Sequence, residues 1–115
     1  MYQTKYQEFT EYSQDDLRES ERLAIDRSIE LLRRAKEQGV DSRETVEAVF
    51  YLQSLWVYFI EELGKKQNAL AEEIRASLIS IGLWLLRESE EIRLAKSRNF
   101  DGLIDVSATI RDALR

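Results

Sequence analysis

The side chains that most often carry out chemistry in proteins are missing from this sequence. It contains no histidine and no cysteine, so the commonest general base and the thiolate nucleophile are both absent. Serines, lysines and carboxylates remain, but no serine–lysine pair stands at a spacing typical of a nucleophile and its base. Ser80 lies inside an apolar run, where a hydroxyl usually bonds a carbonyl one turn back. We interpret Ser80 as a packing serine and expect no enzymatic activity.

Acidic residues form short clusters that suggest a metal site at first sight. These are Asp15–Asp16, Glu61–Glu62, Glu72–Glu73, and Glu88 with Glu90 and Glu91. Carboxylate metal sites in helical bundles normally add a histidine three residues after a glutamate, and that histidine is missing here. Negative charge near helix starts is stabilised by the helix dipole. We therefore interpret the clusters as solvated helix faces and predict no metal and no cofactor.

Basic residues gather in three groups near predicted helix ends, where cations stabilise exposed carbonyls. The groups are Arg33, Arg34 and Lys36; Lys65 and Lys66; and Arg93, Lys96 and Arg98. Two such ends brought together by folding would form a basic patch for RNA. The net charge of −5 and the acidic residues beside each group oppose this. Direct nucleic-acid binding is therefore disfavoured.

The composition predicts an all-α fold in a single domain covering residues 1–115. There is no proline and only four glycines, while 43% of residues are hydrophobic and 34% are charged, a balance typical of amphipathic helices. Apolar periodicity predicts a small bundle of four main helices. The first runs from about Ser13 to Gln38, with Gly39 as its C-terminal stop, and the second from Asp41 to about Leu63. The third begins at Asn68, which can cap it, and runs to about Arg98; the last runs from Asp101 to the chain end.

Local patterns refine this bundle. Asp41 and Glu44 are spaced as a capping box for the second helix, whose wide apolar arc predicts packing on two neighbours. The run from Leu78 to Leu86 is apolar nearly all round, which predicts that the third helix is central. Within it, Gly82 indicates either a close helix contact or a kink.

Aromatic residues are the best candidates for a partner surface. Trp56 and Trp84 lie in apolar helix centres, which favours a place in the core. Two tyrosines flank the apolar arc of the second helix, and tyrosine is favoured at protein interfaces. Residues 1–12 carry further aromatics at helical spacing, which fits either a short N-terminal helix or an aromatic arm. The predicted partner-binding residues are Tyr2, Tyr6, Phe9, Tyr12, Tyr51 and Tyr58.

The hydropathy pattern predicts a cytoplasmic protein without a membrane span. No apolar run approaches the roughly 20 residues that cross a bilayer. The N-terminus, which begins Met1-Tyr2-Gln3, lacks the apolar stretch of a signal peptide.

Three stretches carry a resemblance to a known family. They are Leu55–Leu63 (LWVYFIEEL), Leu78–Glu88 (LISIGLWLLRE) and Phe100–Val106 (FDGLIDV). Together they resemble FlaF, the flagellar biosynthesis regulator of alphaproteobacteria, and the resemblance covers nearly the whole chain. It implies a cytoplasmic, non-enzymatic helical protein that is needed for flagellin production and export and works alongside the regulator FlbT.

Three hypotheses about function follow. The leading one is a flagellin-binding export chaperone and regulator, with the partner in a groove beside the second and third helices. The second is a post-transcriptional regulator that contacts flagellin messenger RNA directly or through FlbT. The third is a self-associating scaffold module, and the oligomeric state is left open at this point.

Overall fold

Four helices make up most of the chain that the computed structural model describes, which is residues 14–66 and 68–114. Within these ranges there is no strand. The helices are α1 (Gln14–Gln38), α2 (Arg43–Leu63), α3 (Glu72–Arg93) and α4 (Phe100–Ala113). The predicted all-α bundle of four main helices is confirmed. Residues 1–12, predicted to be a short helix or an aromatic arm, lie outside the described residues.

The centre of the bundle is the pair α1 and α2. α2 packs against α1 on one side and α3 on the other, α4 packs against α1, and α3 and α4 make few direct contacts. The predicted packing of the second helix on two neighbours is therefore confirmed. Each helix contributes to the core between these layers. The largest fully buried apolar side chains of the core are Ile25, Ile29, Leu32, Leu52, Leu85, Ile92, Leu103 and Val49.

The prediction that the third helix is central is wrong. α3 buries one stripe, formed by Gly82, Leu85, Ser89 and Ile92, because it has only one main neighbour, α2. Other residues of its apolar run are only partly buried, and Leu83 keeps 48% of its surface exposed. Ser80 is also exposed, so it is not the packing serine that the sequence suggested.

Gly82 brings α3 into close contact with α2. A Cβ atom built on Gly82 would lie 2.8 Å from Trp56 Cε3 and 3.1 Å from Ile60 Cδ1. Carbon atoms in contact are normally about 3.5–4.0 Å apart, so any side chain at this position would displace Trp56. The predicted close helix contact at Gly82 is confirmed.

The turn between α1 and α2 is held by Gly39, Ser42 and Thr45. Gly39 has a φ of +104°, a conformation that favours glycine, and ends α1 as predicted. Ser42, not Asp41, caps α2: its Oγ accepts a hydrogen bond from the Thr45 backbone N–H at 3.2 Å. The Ser42 and Thr45 hydroxyls both donate to the Gly39 carbonyl. The predicted capping box at Asp41 is wrong because the helix begins at Arg43, which leaves Asp41 outside its first turn.

Side chains organise the connection between α2 and α3. Asn68 was predicted to cap the third helix, but α3 begins at Glu72 and its N-cap residue, Ala71, makes no side-chain cap bond. Asn68 instead donates to the Glu62 carbonyl and accepts from the Leu70 N–H. Arg75 donates to the Leu63 carbonyl at 3.2 Å. These bonds satisfy carbonyls at the end of α2 and fix the start of α3 beside it.

Candidate binding cleft

α3 and α4 diverge and leave a cleft at one end of the bundle. The short connection of residues 94–99 holds the end of α3 beside the start of α4. Away from this connection the two helices make few contacts, and a cleft of about 410 Å³ opens between the start of α3 and the end of α4. We call it the α3–α4 cleft. Its lining residues are Arg18, Glu21, Ile25, Trp56, Phe59, Glu62, Leu63, Asn68, Ala69, Leu70, Ile74, Leu78, Ile110, Ala113 and Leu114.

The floor of the cleft is apolar and well packed. It is formed by Ile25 of α1 with Trp56 and Phe59 of α2, all three of which are buried in the bundle. The rings of Trp56 and Phe59 meet edge to face, with centroids 5.2 Å apart and an interplanar angle of 84°. This arrangement is favourable for aromatic pairs and gives the floor a defined shape.

The walls are apolar as well. Ile74 and Leu78 of α3 form one wall, and Ile110 and Leu114 form the other. Ile74 keeps 52% of its surface exposed, although isoleucine is among the residues most often buried. Ile74 continues the apolar lining of the cleft to the surface, and contiguous exposed apolar surface often marks a binding site.

Charged side chains form the rim of the cleft. Arg18, Glu21 and Glu62 lie at its edge. Burial raises the pKa of the Glu21 carboxyl above its ordinary value; Arg18 acts in the opposite direction, and the Glu62 carboxylate adds to the rise. Glu62 is itself paired with Lys65, whose Nζ lies 2.7 Å from Glu62 Oε1. A cationic side chain placed beside Glu21 would stabilise the ionised form of that carboxyl.

Comparison with known proteins identifies the family. The family model described as flagellar protein FlaF matches residues 2–114. No curated protein and no solved structure gives a match. The chain belongs to the FlaF family. The match spans all four helices, so the bundle and its cleft lie within the FlaF domain.

The predicted partner-binding residues of this FlaF-family chain fall into two sets. Tyr2, Tyr6, Phe9 and Tyr12 lie outside the described residues. Tyr51 and Tyr58 lie two turns apart on one side of α2. Tyr51 is half-buried against the core, and Tyr58 is exposed, with its ring centroid 5.9 Å from that of Phe59. Neither tyrosine lines the cleft, so their role in binding stays a prediction.

The sequence pattern did not predict which residues line the cleft. Trp56 was predicted to be a core residue, and it is buried, but one side of it also faces the cleft. Trp84 is half-buried and packs against the core. Ile74 and Leu78 carry no separate signal, because apolar spacing is the same for a residue that packs in the core and one that lines a groove. Ile74 and Leu78 become cleft-lining residues only because α3 and α4 diverge.

Each basic group at a helix end has at least one member paired with a carboxylate. Lys36 bonds Asp101 at 2.7 Å, and Arg34 bonds Glu30 at 2.6 Å. Arg93, together with Gln53, holds the pKa of Glu90 at about 2 through hydrogen bonds to its carboxylate. Cations neutralised in this way attract phosphates less strongly, which disfavours RNA contact through these paired residues.

No group of three or more acidic, histidine or cysteine side chains is placed to hold a metal ion in the part of the chain that the structure describes. None of the helices described there is long and apolar enough to cross a bilayer.

Proposed function

We propose that this FlaF-family protein is a cytoplasmic flagellin-binding export chaperone and regulator, which holds a segment of flagellin in the α3–α4 cleft. The observation that carries the proposal is an open apolar cleft, floored by Trp56 and Phe59, in a chain of a flagellar family. Bound flagellin would be kept from premature association, which supports its production and secretion.

The shape of the cleft suits an amphipathic helix. Flagellin carries amphipathic terminal segments that lack fixed structure before assembly, and such segments fold when they bind. A groove between diverging helices accepts the apolar face of a helix through anchors spaced three, four and seven residues apart. The volume of about 410 Å³ lies within the range of about 300–1,000 Å³ that is typical of binding pockets. It has room for a few large apolar anchors.

The rim suggests how a partner is oriented. Glu21 favours a lysine or arginine beside the apolar anchors, while Arg18 favours an acidic group. Because burial disfavours the ionised form of Glu21, a partner cation contributes more here than at an open surface. We therefore expect the bound segment to carry a basic residue next to its apolar stripe.

A FlbT-type regulator is the second partner that we propose, on the basis of the family alone. In this role the protein influences flagellin messenger RNA through FlbT, without contacting the RNA itself. The pairing of Lys36 with Asp101 and of Arg34 with Glu30 is the reason for choosing this route over direct RNA contact.

A titration with purified flagellin tests the proposal. The chain has two tryptophans, so a Trp84→Phe variant leaves Trp56, in the floor of the cleft, as the only reporter within this protein. We expect the Trp56 fluorescence to change on binding of tryptophan-free flagellin terminal fragments, with a Kd in the micromolar range or tighter and little dependence on salt. Absence of binding at micromolar flagellin, measured also by calorimetry on the unmodified chain, would overturn the proposal.

A further inference from the structure

A second apolar surface lies on α2, away from the cleft. Val46, Phe50 and Val57 stand four and seven residues apart, which places them on one face of the helix. Their exposed fractions are 65%, 72% and 47%. We call these three residues the outer strip. No outer-strip residue lines the α3–α4 cleft, so the folded bundle leaves two separate apolar surfaces.

α3 extends the outer strip on its C-terminal side. Gln53 of α2 bonds Ser89 and Glu90 of α3, and Gly82 of α3 lies against Trp56 and Ile60. This antiparallel register places Leu83 level with Val57. The side of α3 that carries Glu90, next to Gln53, also carries Leu83, which is 48% exposed. The apolar surface therefore spans both helices.

Opposite charges stand at the two ends of the outer strip. Arg43 precedes Phe50 by seven residues and Glu61 follows Val57 by four, so both share the face of the strip. Both side chains are exposed, and neither forms an ion pair with another described residue. A helix face with a cation at its start and an anion at its end is complementary to an antiparallel copy of itself.

We infer that the outer strip binds a second copy of this chain, with the two α2 helices antiparallel across a twofold axis. Arg43 of each copy then faces Glu61 of the other. Twofold interfaces use the same patch on both subunits, so a patch must complement itself, as this one does in charge.

The spacing along α2 makes the apolar residues meet as well. Arg43 and Glu61 are 18 positions apart, which corresponds to about 27 Å of helix, and the twofold axis crosses α2 at the level of Leu52, midway between them. The two Phe50 side chains then lie about 6 Å apart along the helix direction, on either side of the axis. Each faces Ser54 of the other copy, a small exposed residue that leaves room for the ring. Val57 of each copy packs beside Val46 of the other.

This pairing is independent of the proposed flagellin site. The residues of α2 that line the cleft are Trp56, Phe59, Glu62 and Leu63, and they lie on the buried or opposite side of the helix. A dimer built on the outer strip therefore leaves both clefts open. Failure of the dimer would leave the flagellin proposal untouched, and the reverse also holds.

Sedimentation velocity on the full chain tests this inference. The protein concentration should run from about 1 µM to about 1 mM, a range that detects weak association. We expect concentration-dependent growth from the monomer mass of 13.5 kDa towards twice that mass. Phe50→Asp should abolish dimerisation. Leu23→Asp, which charges an apolar side chain on α1 that is also more than half exposed, should leave dimerisation unchanged. A monomer at every concentration, or a dimer that survives Phe50→Asp, would overturn the inference.

Charge reversal tests the antiparallel register itself. Arg43→Glu alone and Glu61→Arg alone each replace two attractions per dimer by repulsions, and we expect each to raise the dimer Kd by about tenfold. The double variant restores opposite charges and should return the Kd to within about threefold of the parent. All variants should keep the helical circular dichroism of the parent, because both side chains are exposed. A double variant as weak as the singles would contradict the register.

Discussion

Gly82 of α3 lies directly against the indole of Trp56 on α2, so closely that a Cβ atom on the glycine would fall 2.8 Å from Trp56 Cε3. The same indole forms part of the floor of the α3–α4 cleft. The contact between α2 and α3 therefore also fixes the shape of the candidate site. A substitution at Gly82 should therefore change both the stability of the bundle and the shape of the cleft.

We expect Gly82→Ala to destabilise the protein. Alanine gains about 1 kcal/mol of helix propensity over glycine, but its methyl group would overpack the helix contact, which typically costs about 1–3 kcal/mol. The net result is a loss of about 1 kcal/mol, measured by urea unfolding, with a shift in tryptophan fluorescence. Gly64→Ala is the control, because a Cβ there would approach nothing closer than 3.5 Å. Equal stability of the two variants would contradict the close contact.

The cap of α2 can be tested by comparing two adjacent residues. Ser42→Ala removes the acceptor for the Thr45 N–H and the donor to the Gly39 carbonyl, so it should lower the free energy of unfolding by about 1 kcal/mol. Asp41→Ala should change it by less than about 0.5 kcal/mol, as is usual for surface residues. Thermal or urea unfolding of both variants decides between the observed cap and the one that the sequence suggested.

Buried serines differ in whether their hydroxyls are satisfied. Ser28 Oγ has no hydrogen-bond partner among the described residues, whereas Ser89 Oγ donates to the Leu86 carbonyl at 2.9 Å and accepts from Gln53. An unpaired buried hydroxyl is costly, so Ser28→Ala should leave stability unchanged or raise it by up to about 1 kcal/mol. Ser89→Ala should lower stability by about 1 kcal/mol. A loss at Ser28 as large as that at Ser89 would show that its hydroxyl is bonded.

Glu21 should make stability depend on pH. Burial raises the folded-state pKa of this carboxyl above its unfolded-state value, so the folded state binds the proton more tightly. The ionised Glu21 carboxylate therefore destabilises the folded state most at neutral pH. This effect disappears as the pH falls through the folded-state pKa towards the unfolded-state pKa. Glu21→Gln should be more stable than the parent at pH 7 and equally stable below about pH 4.5, the ordinary value.

Unfolding of the parent and the variant across this pH range measures the effect. Glu37→Gln, which changes an exposed carboxyl on the same helix, is the control and should show a much smaller pH-dependent difference. A Glu21→Gln variant that is less stable than the parent at pH 7 would mean that the ionised carboxylate is stabilising in the folded state.

Helix number and type followed from the sequence because they depend on local properties. Apolar periodicity and the Gly39 stop gave α1 correctly, and the wide arc of α2 correctly indicated two neighbours. The role of α3 did not follow. Its run from Leu78 to Leu86 is apolar all round, but burial depends on how many helices pack there, which is a property of the whole bundle.

The cleft could not be predicted for the same reason. Trp56, Ile74 and Leu78 have the spacing of core residues, and they become lining residues only because α3 and α4 diverge. The sequence carries a weak signal for the outer strip, since Val46, Phe50 and Val57 widen the apolar arc of α2. Periodicity alone does not tell which edge of such an arc remains exposed.

Flagellin binding to two variants with similarly exposed parent side chains tests the α3–α4 cleft most directly. Ile74→Glu places a charge on the wall of the cleft, and Leu23→Glu places one on the outer side of α1; the parent residues are 52% and 57% exposed. Both side chains are more than half exposed, so neither substitution replaces a core residue. Calorimetric titration with a flagellin terminal fragment should show a Kd at least about tenfold weaker for Ile74→Glu and an unchanged Kd for Leu23→Glu. Equal affinities for both variants and the parent would contradict binding in the α3–α4 cleft.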